Sequence, residues 1–569
     1  MSKLTNSIIL SAMLFSPSVQ SGFAATFTWD GSTNLWNSPN WLPGNVAGPT
    51  GGNANSAIIN SGAVTFAVND TFGNHATAST VIVTVNSGGT LASGSRFNTI
   101  IDLDLNGGTL LANGGVNNPF GAFALKGTVD IGGSAASNIN TGGGSFNTVS
   151  VGAGGGGGVT IFNVADVTGN ANSDFNVNAV LSNLANIASG FTKTGAGTMT
   201  LTAANTYTGP TTVAQGTLVF SGGGTTSTAS AFTVQNGGVL RFSRNDTWGN
   251  HLTVATPVIT IDAGGVVESN NTYTSLIGLV LNGGTLSAND GVNANFPAFG
   301  LKGTVTANAT SGGSFISTSG VGDFNNVTIG NASAGGATTF NVNDGAAAAD
   351  LTVSTSLSNY GGAASSLTKT GLGTMVLTAA NTYSSTTTIS AGTLLVNNAS
   401  GSGLGTSNAF VLAGATLGGT GSFTGTANIA TNAILAPGGT GLIESLGTGA
   451  LTLGNNAIYQ WEYQGALADI TNVNGALNFG AGLTVLLTSL DGGALLEGTN
   501  YTLFTYTGAD PVAPEFNLVF GANTPTRGVR VTIDADTNRV LLAVVVPEPA
   551  TMSLLALAGA AMLRRRRRA

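Results

Sequence analysis

The chain has 569 residues, of which 86 are glycine and only 7% are charged, and it contains no cysteine. Hydrophobic residues make up 42% of the chain, which is enough to form a core, so the low charge does not indicate disorder. The absence of cysteine excludes a disulfide scaffold and thiol chemistry, and the net charge of −8 argues against a nucleic acid partner.

The first 25 residues have the pattern of a secretory signal peptide. Lys3 precedes an apolar run over residues 8–15, and small residues follow it. This order predicts export through the Sec translocon and cleavage after Ala24 or Ala25.

Three of the five tryptophans lie close together in TFTWDGSTNLWNSPNW, residues 26–41. In a chain of stacked strands the first open rung must be covered, so we expect residues 26–60 to form an N-terminal cap. Flat aromatic faces also stack on sugar rings, which leaves a sugar-binding role as the alternative.

Residues 61–397 contain a tandem duplication. TKTGAGTMTLTAANTYTG, residues 192–209, returns as TKTGLGTMVLTAANTYSS at residues 368–385. LNGGTL and LKGTV recur at the same offset, and self-similarity at a fixed offset, here about 176 residues, is typical of repeat architectures. The sequence therefore predicts two similar blocks, block 1 (residues 61–235) and block 2 (residues 236–397).

The pattern within each block is that of short strands with one buried face. Met199 and Leu201 alternate with threonines. Glycine turns precede a leucine in SGGTL, NGGTL, AQGTL, NGGVL and AGTL, mostly at spacings of roughly 20 residues or small multiples, as in the coils of a solenoid. We predict an all-β chain folded as a right-handed parallel β-helix.

The repeated segment that begins with TKTG (residues 192–209 and 368–385), here called the TKTG unit, resembles the passenger-associated strand repeat of bacterial autotransporter-like surface proteins. ILAPG at residues 434–438 is similar to the last coils of autotransporter passengers. We therefore expect terminal coils over residues 398–441. The denser apolar alternation after them predicts a C-terminal β-rich cap over residues 442–545.

Residues 546–569 combine three features in a fixed order. Pro547, Glu548 and Pro549 come first, an apolar run over residues 552–563 follows, and the run ends in five arginines. This predicts a short transmembrane helix with a basic membrane stop formed by Arg564, Arg565, Arg566, Arg567 and Arg568.

The order resembles the PEP-CTERM sorting signal of Gram-negative bacteria. The resemblance implies transient anchoring in the inner membrane and cleavage by an exosortase. Release to the cell surface or extracellular matrix would follow.

Candidate catalytic and metal-binding residues are few. His75 and His251 occupy equivalent positions of the two blocks without a nearby cysteine or second histidine, so we expect structural roles and no metal or cofactor. Asp102 and Asp104 are two positions apart on a predicted strand and point to one face, as an acid pair would. Block 2 has Gly278 and Val280 at these positions, so no catalytic residue is predicted.

Together these features predict an exported, non-catalytic β-helical rod with an adhesive or structural role at the cell surface or in a biofilm matrix. Extracellular polysaccharide and further copies of the chain are the candidate partners. A polysaccharide-active β-helix enzyme, a hydrolase or lyase, is the alternative.

Overall fold

The structure is a computed structural model, and it describes residues 26–30, 34–35, 56–66, 69, 81–116, 120–153, 157–227, 230–248, 256–318, 322–331, 335–439, 441, 443–521 and 528–545. The predicted signal peptide with Ala24 and Ala25 lies outside these residues. So do Trp36, Trp41 and both histidines.

Most of the described chain is wound into a coil whose successive turns stack through parallel strand pairing. Each turn contributes a short strand to each of two long faces, and β3 (Ser56–Thr65) runs from one face to the other. This confirms the prediction of an all-β parallel β-helix.

Face A consists of the first part of β3 and the strands β1 (Thr26–Asp30), β4 (Ile82–Asn86), β6 (Asn98–Asn106), β8 (Phe123–Ile131), β11 (Val159–Val164), β14 (Gly190–Thr194), β16 (Thr211–Val213), β18 (Phe232–Val234), β20 (Val258–Asp262), β22 (Thr274–Asn282), β24 (Phe299–Ala307), β27 (Gly336–Val342), β30 (Ser365–Thr370), β32 (Thr387–Ile389), β34 (Ala409–Val411), β36 (Ala427–Ile429), β39 (Leu451–Leu453) and β43 (Leu477–Phe479).

Face B consists of the last part of β3 and the strands β2 (Asn34–Leu35), β5 (Gly89–Ala92), β7 (Thr109–Ala112), β9 (Ser137–Thr141), β12 (Phe175–Val177), β15 (Thr198–Leu201), β17 (Gly216–Ser221), β19 (Gly238–Ser243), β21 (Val266–Ser269), β23 (Thr285–Ser287), β25 (Ser314–Ser317), β28 (Leu351–Val353), β31 (Thr374–Leu377), β33 (Thr393–Val396), β35 (Thr416–Gly419), β37 (Ile434–Pro437), β40 (Ile458–Gln464), β41 (Leu467–Ala468), β44 (Thr484–Ser489) and β46 (Asn517–Phe520).

The turns of the coil differ in length. Phe410 pairs with Asn428 on the next rung of face A, whereas Asn138 pairs with Asn176 on the next rung of face B, a turn with about twice as much chain. Connections outside the strands absorb this difference, so the register of the core is kept.

Equivalent strands recur at the offset of the duplication. β6 and β22 begin at Asn98 and Thr274, and β15 and β31 begin at Thr198 and Thr374. The two members of each pair are separated by the same length of chain as the two TKTG units, so the sequence repeat corresponds to a repeat of the coil.

A third, shorter face, face C, is present in each block. Its strands are β10 (Val149–Val151), β13 (Leu181–Asn183), β26 (Val327–Ile329) and β29 (Leu357–Asn359). β10 and β26 pair with the first halves of β8 and β24, which pair in turn with those of β6 and β22, and β13 and β29 pair with β10 and β26. A 3₁₀ turn follows β13 at Leu184–Asn186, and another follows β29 at Tyr360–Gly362. The outward side chains of face C, such as Thr99, Ala124 and Ser150, are buried.

Faces A and B continue past residue 441 through β39, β40, β43, β44 and β46. Before, between and after these strands the chain contributes to a separate five-stranded sheet, sheet D, formed by β38 (Ser445–Thr448), β42 (Ile470–Val473), β45 (Asn500–Tyr506), β47 (Val529–Asp534) and β48 (Arg539–Val544). The pairs β38–β42 and β42–β45 are parallel, whereas β45–β48 and β47–β48 are antiparallel.

The core lies inside the coil and is continuous from face to face. Met199, Leu201, Met375 and Leu377 of the TKTG units are fully buried. The leucines that follow the glycine turns are fully buried as well, namely Leu91, Leu110, Leu218, Leu240, Leu286 and Leu394. The alternation in the sequence therefore identified the inward side of the strands correctly.

Three carboxylates meet where sheet D joins the coil. Asp469 is fully buried, and its carboxylate accepts hydrogen bonds from the backbone N–H groups of Glu444 and Glu462, both at 3.0 Å. The pKa of Asp469 is raised to about 7, mainly by burial; the two hydrogen bonds act against this shift, and the charges of Glu462 and Glu444 add to it.

We expect this group to make the C-terminal region less stable as the pH rises from about 4 to about 7. Over that range folded Asp469 keeps a proton that the unfolded chain, with a pKa of about 3.9, has already lost. Asp469→Asn should flatten this part of the pH profile measured by scanning calorimetry. Asp491→Asn, at an exposed turn, is the control and should not change it; an unaltered slope in Asp469→Asn would contradict the assignment.

Candidate functional site

The lysine of each TKTG unit lies inside the coil. Lys193 is fully buried, and its Nζ donates hydrogen bonds to the carbonyl oxygens of Thr194 (3.0 Å), Gly195 (2.7 Å) and Gln215 (3.0 Å). Burial lowers its pKa to about 8, and the nearby Asp174 carboxylate partly opposes this shift. The three donors of the ammonium group have three acceptors, which leaves none for a ligand.

Lys369 repeats this geometry in block 2. It donates to the carbonyl oxygens of Thr370 (3.1 Å), Gly371 (2.8 Å) and Ala391 (3.0 Å), and burial lowers its pKa to about 8. Gly371 has a φ of 74°, and a Cβ there would clash with the carbonyl oxygen of Val342 on the preceding rung. The unit therefore builds the corner at which one rung rests on another.

An aspartate completes each corner. Asp174 accepts from the backbone N–H groups of Val167 (3.0 Å), Thr168 (2.8 Å) and Thr198 (2.7 Å). Asp350 accepts from those of Gly345 (2.9 Å) and Thr374 (2.8 Å). Sequence analysis missed both aspartates, although their recurrence at the offset of the duplication was a usable signal.

The acid pair of block 1 does share one side of face A. Asp102 and Asp104 lie on β6, and Asp130 lies opposite Asp104 on the next rung. Burial raises the pKa of Asp104; a hydrogen bond from Thr84 Oγ1 (3.1 Å) opposes this, and Asp130 and Asp102 add to it. Asp130 accepts a hydrogen bond from Asn163 Nδ2 at 2.7 Å.

Block 2 has no equivalent of this acid cluster, because Gly278, Val280 and Thr306 occupy the three positions. Within the described residues, no group of three or more histidine, cysteine, aspartate or glutamate side chains could hold a metal ion. His75 and His251 lie outside them.

The TKTG units and the tail match known families. The family model described as Passenger-associated-transport-repeat matches residues 191–220 and 367–396, and the PEP-CTERM protein-sorting motif matches residues 545–568. The chain carries passenger-associated-transport repeats and a PEP-CTERM sorting motif. Both resemblances drawn from the sequence are thereby confirmed. No curated protein is recognisably similar to the chain in sequence.

The two passenger-associated repeats are separated by the offset of the tandem duplication and contain the buried lysines. Each repeat covers four strands, β14 to β17 in block 1 and β30 to β33 in block 2, with the lysine at the corner between the first two. The family signature in this chain is therefore the pattern of a rung corner, and the lysine belongs to the fold.

The PEP-CTERM motif marks an exported protein that is sorted to the cell envelope and processed by an exosortase. Its predicted residues Pro547, Glu548 and Pro549 lie outside the described residues, as do the apolar run and Arg564 to Arg568. Within the part of the chain that the structure describes, no helix is long and apolar enough to cross a membrane.

Block 2 also contains a buried hydroxyl cluster that sequence analysis missed. The Tyr273 hydroxyl donates to the Tyr360 hydroxyl at 2.8 Å and lies 2.9 Å from Ser275 Oγ. Lys302 Nζ lies 5.6 Å from the centroid of the Tyr360 ring. The corresponding positions of block 1 hold Phe97, Leu184, Thr99 and Lys126, so a comparison of the two blocks would have revealed the change.

We expect Lys193→Met to destabilise block 1 by about 2–3 kcal/mol, because it leaves three partly buried carbonyl groups without the lysine donor. Urea unfolding followed by far-ultraviolet circular dichroism measures the loss. Lys369→Met should cost a similar amount in block 2. Arg96→Met, at an exposed position, is the control, and equal stability of all three variants would show that the corner does not depend on the lysine.

Proposed function

We propose that the mature protein is a non-catalytic β-helical rod that serves a structural or adhesive role at the cell surface or in the extracellular matrix. The passenger-associated repeats and the PEP-CTERM motif support its export and its sorting to the envelope. The rod role rests on the parallel stacking of rungs along the described chain.

Side chains reinforce the stacking on the outside of the rod. At the start of the coil, Asn106 Nδ2 donates to Asn86 Oδ1 at 3.0 Å, and Asn86 Nδ2 donates to Asn60 Oδ1 at 2.7 Å. In block 2 the same column links Asp262, Asn282, Asn308 and Asn343, at 2.9, 2.7 and 3.1 Å. Adjacent rungs are thus joined by side chains in addition to their backbone bonds, which suits a load-bearing element.

The outer surface offers many similar weak contacts. Thr192, Thr212, Thr233 and Thr260 occupy one outward column of face A on four successive rungs. Rungs repeat at about 4.8 Å, so the hydroxyl groups form a regular row. A row of this kind gains affinity for a long polymer through repeated contacts, which supports polysaccharide or another copy of the chain as partner.

The sorting role of the PEP motif can be tested with Glu548→Ala. We expect the uncut precursor to stay in the inner membrane, because the processing enzyme would no longer recognise the motif. Immunoblots of membrane fractions and medium give the measurement. Glu497→Ala, at an exposed position of the rod, should be cut and released normally; release of Glu548→Ala at the normal rate would refute the role.

One observation favours the alternative of a polysaccharide-active enzyme. Asp104 has a raised pKa and two neighbouring carboxylates, Asp102 and Asp130, which is the environment that a general acid requires. Under our proposal these groups are part of the acidic surface, and they do not turn over substrate.

The exported chain should therefore release no new reducing ends or unsaturated products from acidic or neutral glycans. Chromatography of the digests makes the measurement, with the Asp102→Asn and Asp104→Asn variants run beside the unaltered chain. Product formation that disappears in either variant would replace the rod proposal with the enzyme.

A further inference from the structure

One stretch of the rod carries almost no charge. Between residues 351 and 443 the sequence has a single Asp, Glu, Lys or Arg, which is Lys369. Because Lys369 is fully buried and hydrogen-bonded to carbonyl oxygens, it adds no charged group to the surface. The outer side of these rungs therefore has only hydroxyl, amide and apolar groups to offer a partner.

The outward column of face A in this stretch is polar except at one position. It contains Thr368, Thr388, Phe410 and Asn428, paired in register from rung to rung, and it continues to Thr339 on the rung before the stretch and to Thr452 on the rung after it. Phe410 is 39% exposed, and Leu412, two positions further along the same side, is 43% exposed. Ala409 and Val411, which point inward, are fully buried, so Phe410 is not needed to fill the core.

The equivalent rung of block 1 has polar residues at the positions of Phe410 and Leu412. There the column runs Thr192, Thr212, Thr233, and its first two members are the counterparts of Thr368 and Thr388. Thr233 thus corresponds to Phe410, and Gln235 corresponds to Leu412. The same fold forms with two polar residues at these positions, so folding does not require the apolar pair of the terminal coils.

We infer that the surface around Phe410 and Leu412 is a binding site for an uncharged polysaccharide. The inference rests on the adhesive role proposed above and assigns it to one place on the rod. An aromatic ring gives a flat apolar face on which the C–H face of a sugar packs. Thr388 and Asn428, on the rungs before and after Phe410, provide a hydroxyl and an amide for the sugar hydroxyl groups.

The surroundings distinguish this ligand from other classes. A uronic acid polymer would find no cation on this stretch to pair with its carboxylates. A protein partner of ordinary affinity needs an interface with a substantial apolar centre, whereas here two apolar side chains stand among threonine, serine and asparagine. A chain of neutral sugars that runs across the rungs satisfies both observations.

Face B supplies a control. Phe315 is also 39% exposed, between Thr285 and Thr352, and the block 1 counterpart is Asn138. Face B carries an ion pair between Glu268, two rungs before Phe315, and Arg241, three rungs before it, with 2.6 Å between Nε and Oε1. Phe315→Asn therefore removes an equally exposed ring from a surface that lacks the neutral environment.

The test uses the full exported chain, purified, and measures its depletion from solution by cellulose, an insoluble uncharged glucan. Alginate beads are the acidic probe, and each isotherm is recorded at low and high salt. The double variant Phe410→Thr with Leu412→Gln should bind cellulose roughly tenfold more weakly than the unaltered chain, without salt dependence. Phe315→Asn should bind normally, and Thr233→Phe with Gln235→Leu should bind more tightly.

Thermal unfolding verifies that the variants fold, as the block 1 residues at these positions lead us to expect.

Equal binding by the double variant and the unaltered chain would overturn this site but leave the adhesive role intact. Binding to alginate but not to cellulose, lost at high salt, would contradict the proposal that the ligand is uncharged. The unaltered chain could instead self-associate in sedimentation velocity and bind no glucan. If only the double variant then loses self-association, the surface binds a second copy of the chain and not a glycan. If the unaltered chain neither binds a probe nor self-associates, the adhesive role itself fails.

Discussion

The structure depends on one requirement, that the backbone hydrogen bonds of each rung be satisfied by the rung before and the rung after it. A single turn of the coil has neither a closed backbone nor a core of its own, so stability arises only between neighbours. This explains why connections of very different length are tolerated, provided that the strands return to register. The corner of a rung is therefore the critical place. The passenger-associated repeats specify it with a glycine and a buried lysine, and Asp174, from the chain before the repeat, completes it.

The buried lysine is a charged residue whose role is structural, because it holds the corner of a rung in one geometry. Lys193 loses its hydration and is compensated by three carbonyl groups and a nearby carboxylate, an arrangement that requires all partners to be in place. Such a group favours one geometry of the corner over similar ones. What distinguishes one part of the rod from another is then its outer surface. Block 1 carries aspartates and a threonine row, whereas the end of block 2 and the terminal coils carry an uncharged face with an aromatic ring.

Much of the fold followed from the sequence, because a period-two alternation and a repeated glycine turn determine which side chains point inward. The inward leucines and the parallel coil were predicted correctly. Face C was not predicted, since Thr99 and Ser150 are polar residues that ordinarily face solvent, yet a second layer covers them. Sheet D was expected only as a β-rich cap, because alternation does not reveal which strands pair. Asp174 and the Tyr273 cluster were missed because single polar residues are not part of the period-two alternation, and only a comparison of the two blocks would have revealed them. The roles of Glu548 and the tail arginines stay predictions.

Because paired rungs are close together along the chain, the rod can fold turn by turn during export. Phe410 finds its partner Asn428 within one turn of the coil, and even the longer turn from Asn138 to Asn176 joins neighbouring rungs. A chain built from such local contacts has a low contact order, and its segments need no distant partner to begin folding. As the polypeptide emerges from a membrane pore, the strands of each new turn can pair with those of the previous turn, which has already folded. Growth of the rod outside the membrane would then follow the order of emergence and oppose backward sliding of the chain.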